Sequence, residues 1–287
     1  MADKKFPINN PRQLKDWIKN IAQKNKLTAN TVLQNYIMER FLERVSTSKY
    51  RDNFILKGGF LIAAMVGIDM RSTVDMDTTI KGLPIGEDKI RNIITEIIKI
   101  PINDNVIFEI KSMKPIHKVG VYENFRVSIV ASFFTIKVSM KLDITTGDII
   151  IPREVDYSFK LMFENRNIRI KAYNLNTILA EKIESIFARN ISNTRARDFY
   201  DVYILLSTRP YDIDKEELHK AIKEKAEERG TLIYIEKYEK YLKDIRENKD
   251  LLSIWTSYEN KYPYAKDISF EDIISCIDNI LSGISVN

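Results

Sequence analysis

The stretch FILKGGFLIAAMVGIDMRSTVDMDTTI, residues 54–80, decides how the rest of the chain is read. An apolar run, Phe54 to Leu56, leads into Gly58-Gly59, and residues 60–67 look helical. Val74 to Ile80 alternates and is rich in Val and Thr, which predicts a strand carrying Asp75 and Asp77. Residues two apart on a strand face the same way. The two carboxylates therefore project side by side, with Val74, Met76 and Thr78 toward the core. Carboxylates that close repel unless a cation lies between them. An all-oxygen pair suits a hard ion, Mg²⁺ or Mn²⁺. Such ions complete their shells with water and substrate phosphates, so the pattern points to phosphoryl or nucleotidyl transfer. Asp-x-Asp also falls by chance on exposed strand edges, so the reading needs further residues.

Three features add to it. Glycines at 58 and 59 let the backbone approach a ligand closely, and the N-terminus of the helix that follows favours phosphate. Thr135 to Thr145 alternates, with Ile136, Val138, Met140, Leu142 and Ile144 on one face. Its other face carries Lys137, Ser139, Lys141, Asp143 and Thr145, so Asp143 offers a third carboxylate for metal or proton removal. Arg71, just before the carboxylate strand, is placed to contact phosphate. Farther on, Lys182 lies on an amphipathic helix, and the next helix carries Arg195, Arg197, Asp198 and Asp201. Asp198 and Asp201, three apart, share a face. A lysine there could neutralise triphosphate charge; the plainer reading is a set of ion pairs between two helices.

Composition narrows the class. The chain has 287 residues, 44% hydrophobic and 30% charged, as expected of a globular protein with room for two domains. Its N-terminus has no apolar core of leader length, and no uncharged apolar run approaches the roughly 18 to 20 residues of a spanning helix. A cytoplasmic location is expected. One cysteine, Cys276, rules out an internal disulfide and a cysteine-cluster zinc site. The net charge of +5 is compatible with an RNA partner; most charged residues are expected on solvated helix faces.

The order of elements gives the architecture. Asn10-Pro11 starts a helix over 12–24, and Thr28 caps a second. A helix is expected over 87–99, and strands over 105–113, 123–134 and within 157–172. From Asn174 onward helical periodicity dominates, over about 174–189, 195–207, 214–228, 232–245 and 269–282. An α+β half, residues 1–170, is thus followed by an α-helical half, residues 171–287, expected to close the active-site cleft.

Taken in order, LKGGF, RSTVDMDTT, KLD, LAEKIESIFAR and RARDFYDVY resemble the AbiE-type nucleotidyltransferase toxins of the DNA polymerase β-like superfamily. The resemblance covers about residues 54–207. It implies a polymerase β-like core, a mixed sheet flanked by helices, followed by a helical C-terminal domain. It also implies metal binding by Asp75, Asp77 and Asp143, with Lys182 and Asp198 catalytic. Gly58, Gly59, Arg71, Thr73, Lys182, Arg195, Arg197 and Asp201 would meet the nucleotide. The family implies a bacterial phage-defence (abortive infection) toxin, paired with a DNA-binding antitoxin encoded alongside. Relatives transfer nucleotides to tRNA 3′ ends, and the AbiE branch is associated with GTP; the substrate here would be GTP or a pyrimidine triphosphate, with Mg²⁺ or Mn²⁺. This chain departs from the superfamily in having Phe60 where a serine commonly follows the glycine, and 15 residues between Gly59 and Asp75. Two other readings stay open: transfer to a protein hydroxyl, and a non-catalytic nucleotide-binding module.

Overall fold

The computed structural model describes residues 7–83, 86–119 and 122–282. The first six residues, part of the N-terminus read above as lacking a leader core, lie outside the described residues, as do 283–287 at the end of the helical half. The chain divides into two compact units: Met1–Asp148 with Val155–Ala172, and Ile149–Glu154 with Tyr173–Asn287.

The first unit begins with two helices, α1 (Pro11–Lys24) and α2 (Ala29–Thr47). Asn10 and Thr28 cap them, each side chain accepting from the backbone N–H three residues on. Then follow β1 (Phe54–Lys57), α3 (Gly58–Val66), β2 (Asp75–Ile80) and α4 (Glu87–Ile98). A long hairpin, β3 (Val106–Val119) and β4 (Tyr122–Phe133), leads to β5 (Ile136–Thr146), and β6 (Val155–Lys160) and β7 (Asn167–Ala172) complete the sheet. Among the described residues the sheet has the order β3-β4-β5-β2-β1-β7-β6. Most neighbours are antiparallel; β2 with β5 and β1 with β7 are parallel, so the sheet is mixed. A parallel pair needs a crossover. The one from β2 to β5 runs through α4 and the β3–β4 hairpin, and it brings Asp143 beside the carboxylates of β2.

The alternation predicted for β5 holds: Val138, Met140, Leu142 and Ile144 are buried, and α2 packs on this strand. Met76 and Thr78 are buried as expected, but Val74 is 40% exposed. The strand starts only at Asp75, so Val74 lies in the preceding bend and not on the pleat. The solvated-face expectation fails on α2. Arg40, Arg44, Glu39 and Glu43 are buried there because each finds a partner: Arg40 pairs with Glu39, Glu43 and Glu164, and Arg44 with Asp104. Burying a charge is tolerable only with such pairing.

The second unit is helical: α5 (Leu175–Arg189), α6 (Ala196–Thr208), α7 (Lys215–Glu228), α8 (Leu232–Glu236), α9 (Tyr238–Glu247), α10 (Lys249–Lys261) and α11 (Phe270–Leu281). The helix expected over 232–245 is interrupted at Lys237, and α10 was not expected at all. Its signal was present, since Asn248 caps it through the Leu251 N–H, and Leu251, Trp255 and Tyr258 recur at helical spacing and are buried. The division from the first unit is not a single cut. Residues 149–154 belong here because Ile151 exchanges hydrogen bonds with the Thr177 hydroxyl, and Asn174 donates to the Ile151 and Arg153 carbonyls.

Candidate active site

The Gly-Gly turn is explained by what packs against it. Gly58 has φ +68°, a left-handed conformation that favours glycine. A Cβ on it would lie 2.1 Å from Asp77 Oδ2, so the carboxylate occupies the space a side chain would need. A Cβ on Gly59 would lie 2.9 Å from Arg71 Nη2 and 3.2 Å from Thr73 Oγ1. The two glycines therefore seat the three residue types that the sequence brought into question. Arg71 is only 1% exposed and donates to the Ser72 carbonyl, and Thr73 is buried. The phosphate contacts expected of Arg71 and Thr73 do not follow from this placement, because both side chains are enclosed against the turn.

The strand registers set four charged residues in one row. Lys57 of β1 is opposite Asp77 of β2, Asp77 is opposite Asp143 of β5, and Asp143 is opposite Arg126 of β4. Directly opposed residues share a face. Asp75 stands two residues along β2 on that same face, opposite Lys141. Asp143 is held by Arg126 through Nε to Oδ1 and Nη2 to Oδ2, both at 2.7 Å. The bond to Asp143 is the main cause that holds the Arg126 guanidinium above its ordinary pKa; Asp75 and Asp77 add to the effect. At the other end Lys57 Nζ contacts Asp148 Oδ2 at 2.6 Å, and that oxygen also accepts from the Thr145 hydroxyl. Asp75, half-buried, has no hydrogen-bonding partner for its carboxylate among the described residues.

As it stands, the row is not a closed metal site. Among the described residues no group of three or more His, Cys, Asp or Glu is gathered to hold an ion. The triad expected of Asp75, Asp77 and Asp143 shares one face of the sheet, but its third member is engaged by Arg126. The donor chemistry nevertheless fits a hard divalent cation, since all three ligands are carboxylates.

The second group of expected residues lies in the helical unit. Lys182 of α5 contacts Asp198 Oδ1 at 2.7 Å and Asp201 Oδ2 at 2.9 Å, both on α6. Arg195 Nε reaches Asp198 Oδ2 at 2.9 Å. Both aspartates are 0% exposed. Burial acts to lower the Lys182 pKa, but Asp201 and Asp198 outweigh it and hold the ammonium above its ordinary value. Asp198 and Asp201, of which direct roles were expected, are both engaged by the lysine here. Arg197 is exposed at the start of α6.

Sequence reasoning missed Lys57, Arg126 and Asp148. Lys57 left a signal as the one charged residue in the apolar run before the glycines. Arg126 left none, because its importance depends on the register of β4 against β5.

No protein of curated function matches the chain. Among solved structures it is similar to a candidate nucleotidyltransferase from H. pylori, at 13% identity and a TM-score of 0.51, covering 90% of this chain and 97% of that one. It is also similar to JHP933 from Helicobacter pylori, at 14% identity and a TM-score of 0.50, covering 90% and 94%. At such identities the likeness is one of fold. No helix among the described residues is long and apolar enough to cross a membrane. The family described as nucleotidyl transferase AbiEii toxin, type IV toxin–antitoxin system, matches residues 40–275, which span both the carboxylate sheet and the Lys182 cluster. The chain belongs to the AbiEii nucleotidyltransferase toxin family.

Proposed function

We propose that this protein transfers a nucleotide from a nucleoside triphosphate, GTP or a pyrimidine triphosphate, to an RNA hydroxyl, most simply at a tRNA 3′ end. It would act in the cytoplasm as the growth-blocking half of a phage-defence pair, opposed by a DNA-binding antitoxin. The observation that carries this reading is the row of Asp77 and Asp143 on adjacent parallel strands, with Asp75 beside them on the same face.

Asp75 and Asp77 would hold Mg²⁺ or Mn²⁺, joined by Asp143 once Arg126 releases it. When bound, the ion balances charge that develops on the attacking and leaving oxygens. The RNA hydroxyl oxygen bonds to the α-phosphorus, the bond from that phosphorus to the bridging oxygen breaks, and pyrophosphate leaves. The hydroxyl proton passes to a carboxylate oxygen of Asp143. Gly58 and Gly59 bring backbone close to the phosphates; a larger residue at Gly58 would displace Asp77, and one at Gly59 would press on Arg71 and Thr73.

The experiment incubates the protein with total tRNA, Mg²⁺ and each labelled nucleoside triphosphate in turn, beside folded Asp75→Ala and Asp77→Ala variants. Label is expected in RNA with the parent protein alone. Label in protein would move the acceptor to a side chain. Nucleotide binding without transfer to either acceptor would favour a non-catalytic module.

A further inference from the structure

Helix α10 and the short 3₁₀ turn after it, Pro263–Ala265, have no part in the carboxylate chemistry. Helix α10, with Tyr262 at its end, nonetheless forms one wall of a cavity of about 510 Å³ whose other wall is the start of α6. Arg195 and Arg197 line it from α6, and Ser257, Lys261 and Tyr262 from α10 and its end. Three cations face this space, and no carboxylate is among the described residues lining it. Arg195 spends part of its guanidinium on Asp198 but its side chain remains half exposed. Arg197 and Lys261 are exposed and are not ion-paired among the described residues.

The wall also carries a ring face. Tyr262 is half-buried, and Lys261 Nζ stands 5.4 Å from its ring centroid. Its ring packs on Tyr258 at 4.6 Å and on Tyr264 at 5.3 Å, the latter nearly parallel. Tyr258 in turn packs on Trp255 at 5.6 Å. The ring is thus packed among other aromatics while positive charge flanks it. Cations that track phosphates together with an aromatic face that stacks on a base are what single-stranded nucleic acid requires.

We propose that this cavity binds a nucleotide unit of single-stranded RNA, with Arg195, Arg197 and Lys261 on its phosphates and a base against Tyr262. The proposal rests on the RNA-acceptor reading above and gives the C-terminal helices a part in it. A free nucleotide shares the same chemistry, but cations spread over two helices suit successive backbone phosphates better than one compact triphosphate.

Binding of a labelled single-stranded RNA of about eight nucleotides, a length within the usual site sizes, is measured by fluorescence anisotropy at several salt concentrations without nucleotide or metal. Lys261→Glu and Arg197→Ala are expected to weaken binding and to reduce the salt slope by about 0.7 for each phosphate no longer neutralised. Tyr262→Leu is expected to weaken it about fivefold or more, and Tyr262→Phe to restore it. Binding of a fluorescent nucleoside triphosphate to Lys261→Glu is expected to match the parent. The proposal is overturned if the parent does not bind the RNA, if the variants bind it as the parent does, or if they lose only the free triphosphate. Lys261→Glu and Tyr262→Phe keep the test valid should Tyr262→Leu fail to fold. Variant-sensitive RNA binding without label transfer would sink the transferase reading and leave this cavity standing.

Discussion

Asp143 receives both hydrogen bonds of the Arg126 guanidinium edge, Nε to Oδ1 and Nη2 to Oδ2, each at 2.7 Å. The pair joins adjacent strands, β4 and β5, at directly opposed positions. A bidentate arginine is the strongest common partner of a carboxylate, and here it occupies the third acid of the carboxylate face. The arginine thus stands where positive charge is wanted, next to three acids that would otherwise repel.

Removing it should free Asp143 for an ion. Arg126→Ala is expected to bind Mn²⁺ about three- to tenfold more tightly than the parent, a modest gain because the arginine is partly exposed and screened. Electron paramagnetic resonance titration of free Mn²⁺ reads this without any reference to turnover. Unchanged affinity would mean that Arg126 and the ion do not compete.

Gly58 and Gly230 share the same φ, +68°, but differ in surroundings. A Cβ at Gly58 would meet the Asp77 carboxylate at 2.1 Å, whereas one at Gly230 meets nothing within 4 Å. Gly230→Ala should cost only the left-handed strain, about 1 to 2 kcal/mol. Gly58→Ala should cost that and the displacement of Asp77, about 1 to 3 kcal/mol more by analogy with overpacking. Urea denaturation of the two variants, compared with the parent, measures the difference. Equal losses would show that Asp77 moves aside freely.

Lys182 pairs with two fully buried carboxylates, one of which also has Arg195. Lys182→Met leaves them without it and is expected to destabilise the protein by about 3 to 5 kcal/mol. Adding Asp201→Asn to Lys182→Met should recover part of the loss, since one buried charge is then removed with its partner. The double-mutant cycle in urea gives the coupling; simple additivity would argue against a shared network.

Glu39 gives a pH signature of its own. Burial, only partly offset by Arg40 and the Met162 N–H, pushes its pKa up to about 7 from 4.5. A carboxyl with a raised folded pKa contributes stability that is full below its unfolded value and is lost as pH rises through the folded one. Between pH 4.5 and 7 the parent should therefore lose stability relative to Glu39→Gln as pH rises, with a slope of at most about 1.4 kcal/mol per pH unit. Parallel stability curves for the two proteins over this window would refute it.

Residues 54–80 made much of the first unit legible, because their signals are local. Glycine at 58 and 59, the alternation through Asp75 and Asp77, and that of β5 each follow from side-chain period and backbone freedom. The caps at Asn10 and Thr28 were legible for the same reason. Local patterning failed where neighbours decide. Val74 alternates correctly but precedes the strand, and the charges of α2 look like a solvated face yet lie buried against Glu164 and Asp104. Helix α10 carried readable spacing and a capping Asn248, and was missed among the denser charges around it.

The sequence by itself determined which residue types were available: two carboxylates with strand parity on one face of β2, a third on the polar face of β5, two glycines with no Cβ, and a lysine followed by two aspartates at helical spacing. Only the tertiary structure decided their partners. The crossover placed Asp143 beside Asp77, the β4 register gave it to Arg126, and helix packing closed Asp198 and Asp201 over Lys182. Parity and backbone freedom act within a few residues of chain, whereas an ion pair forms between groups that folding alone brings within hydrogen-bonding reach.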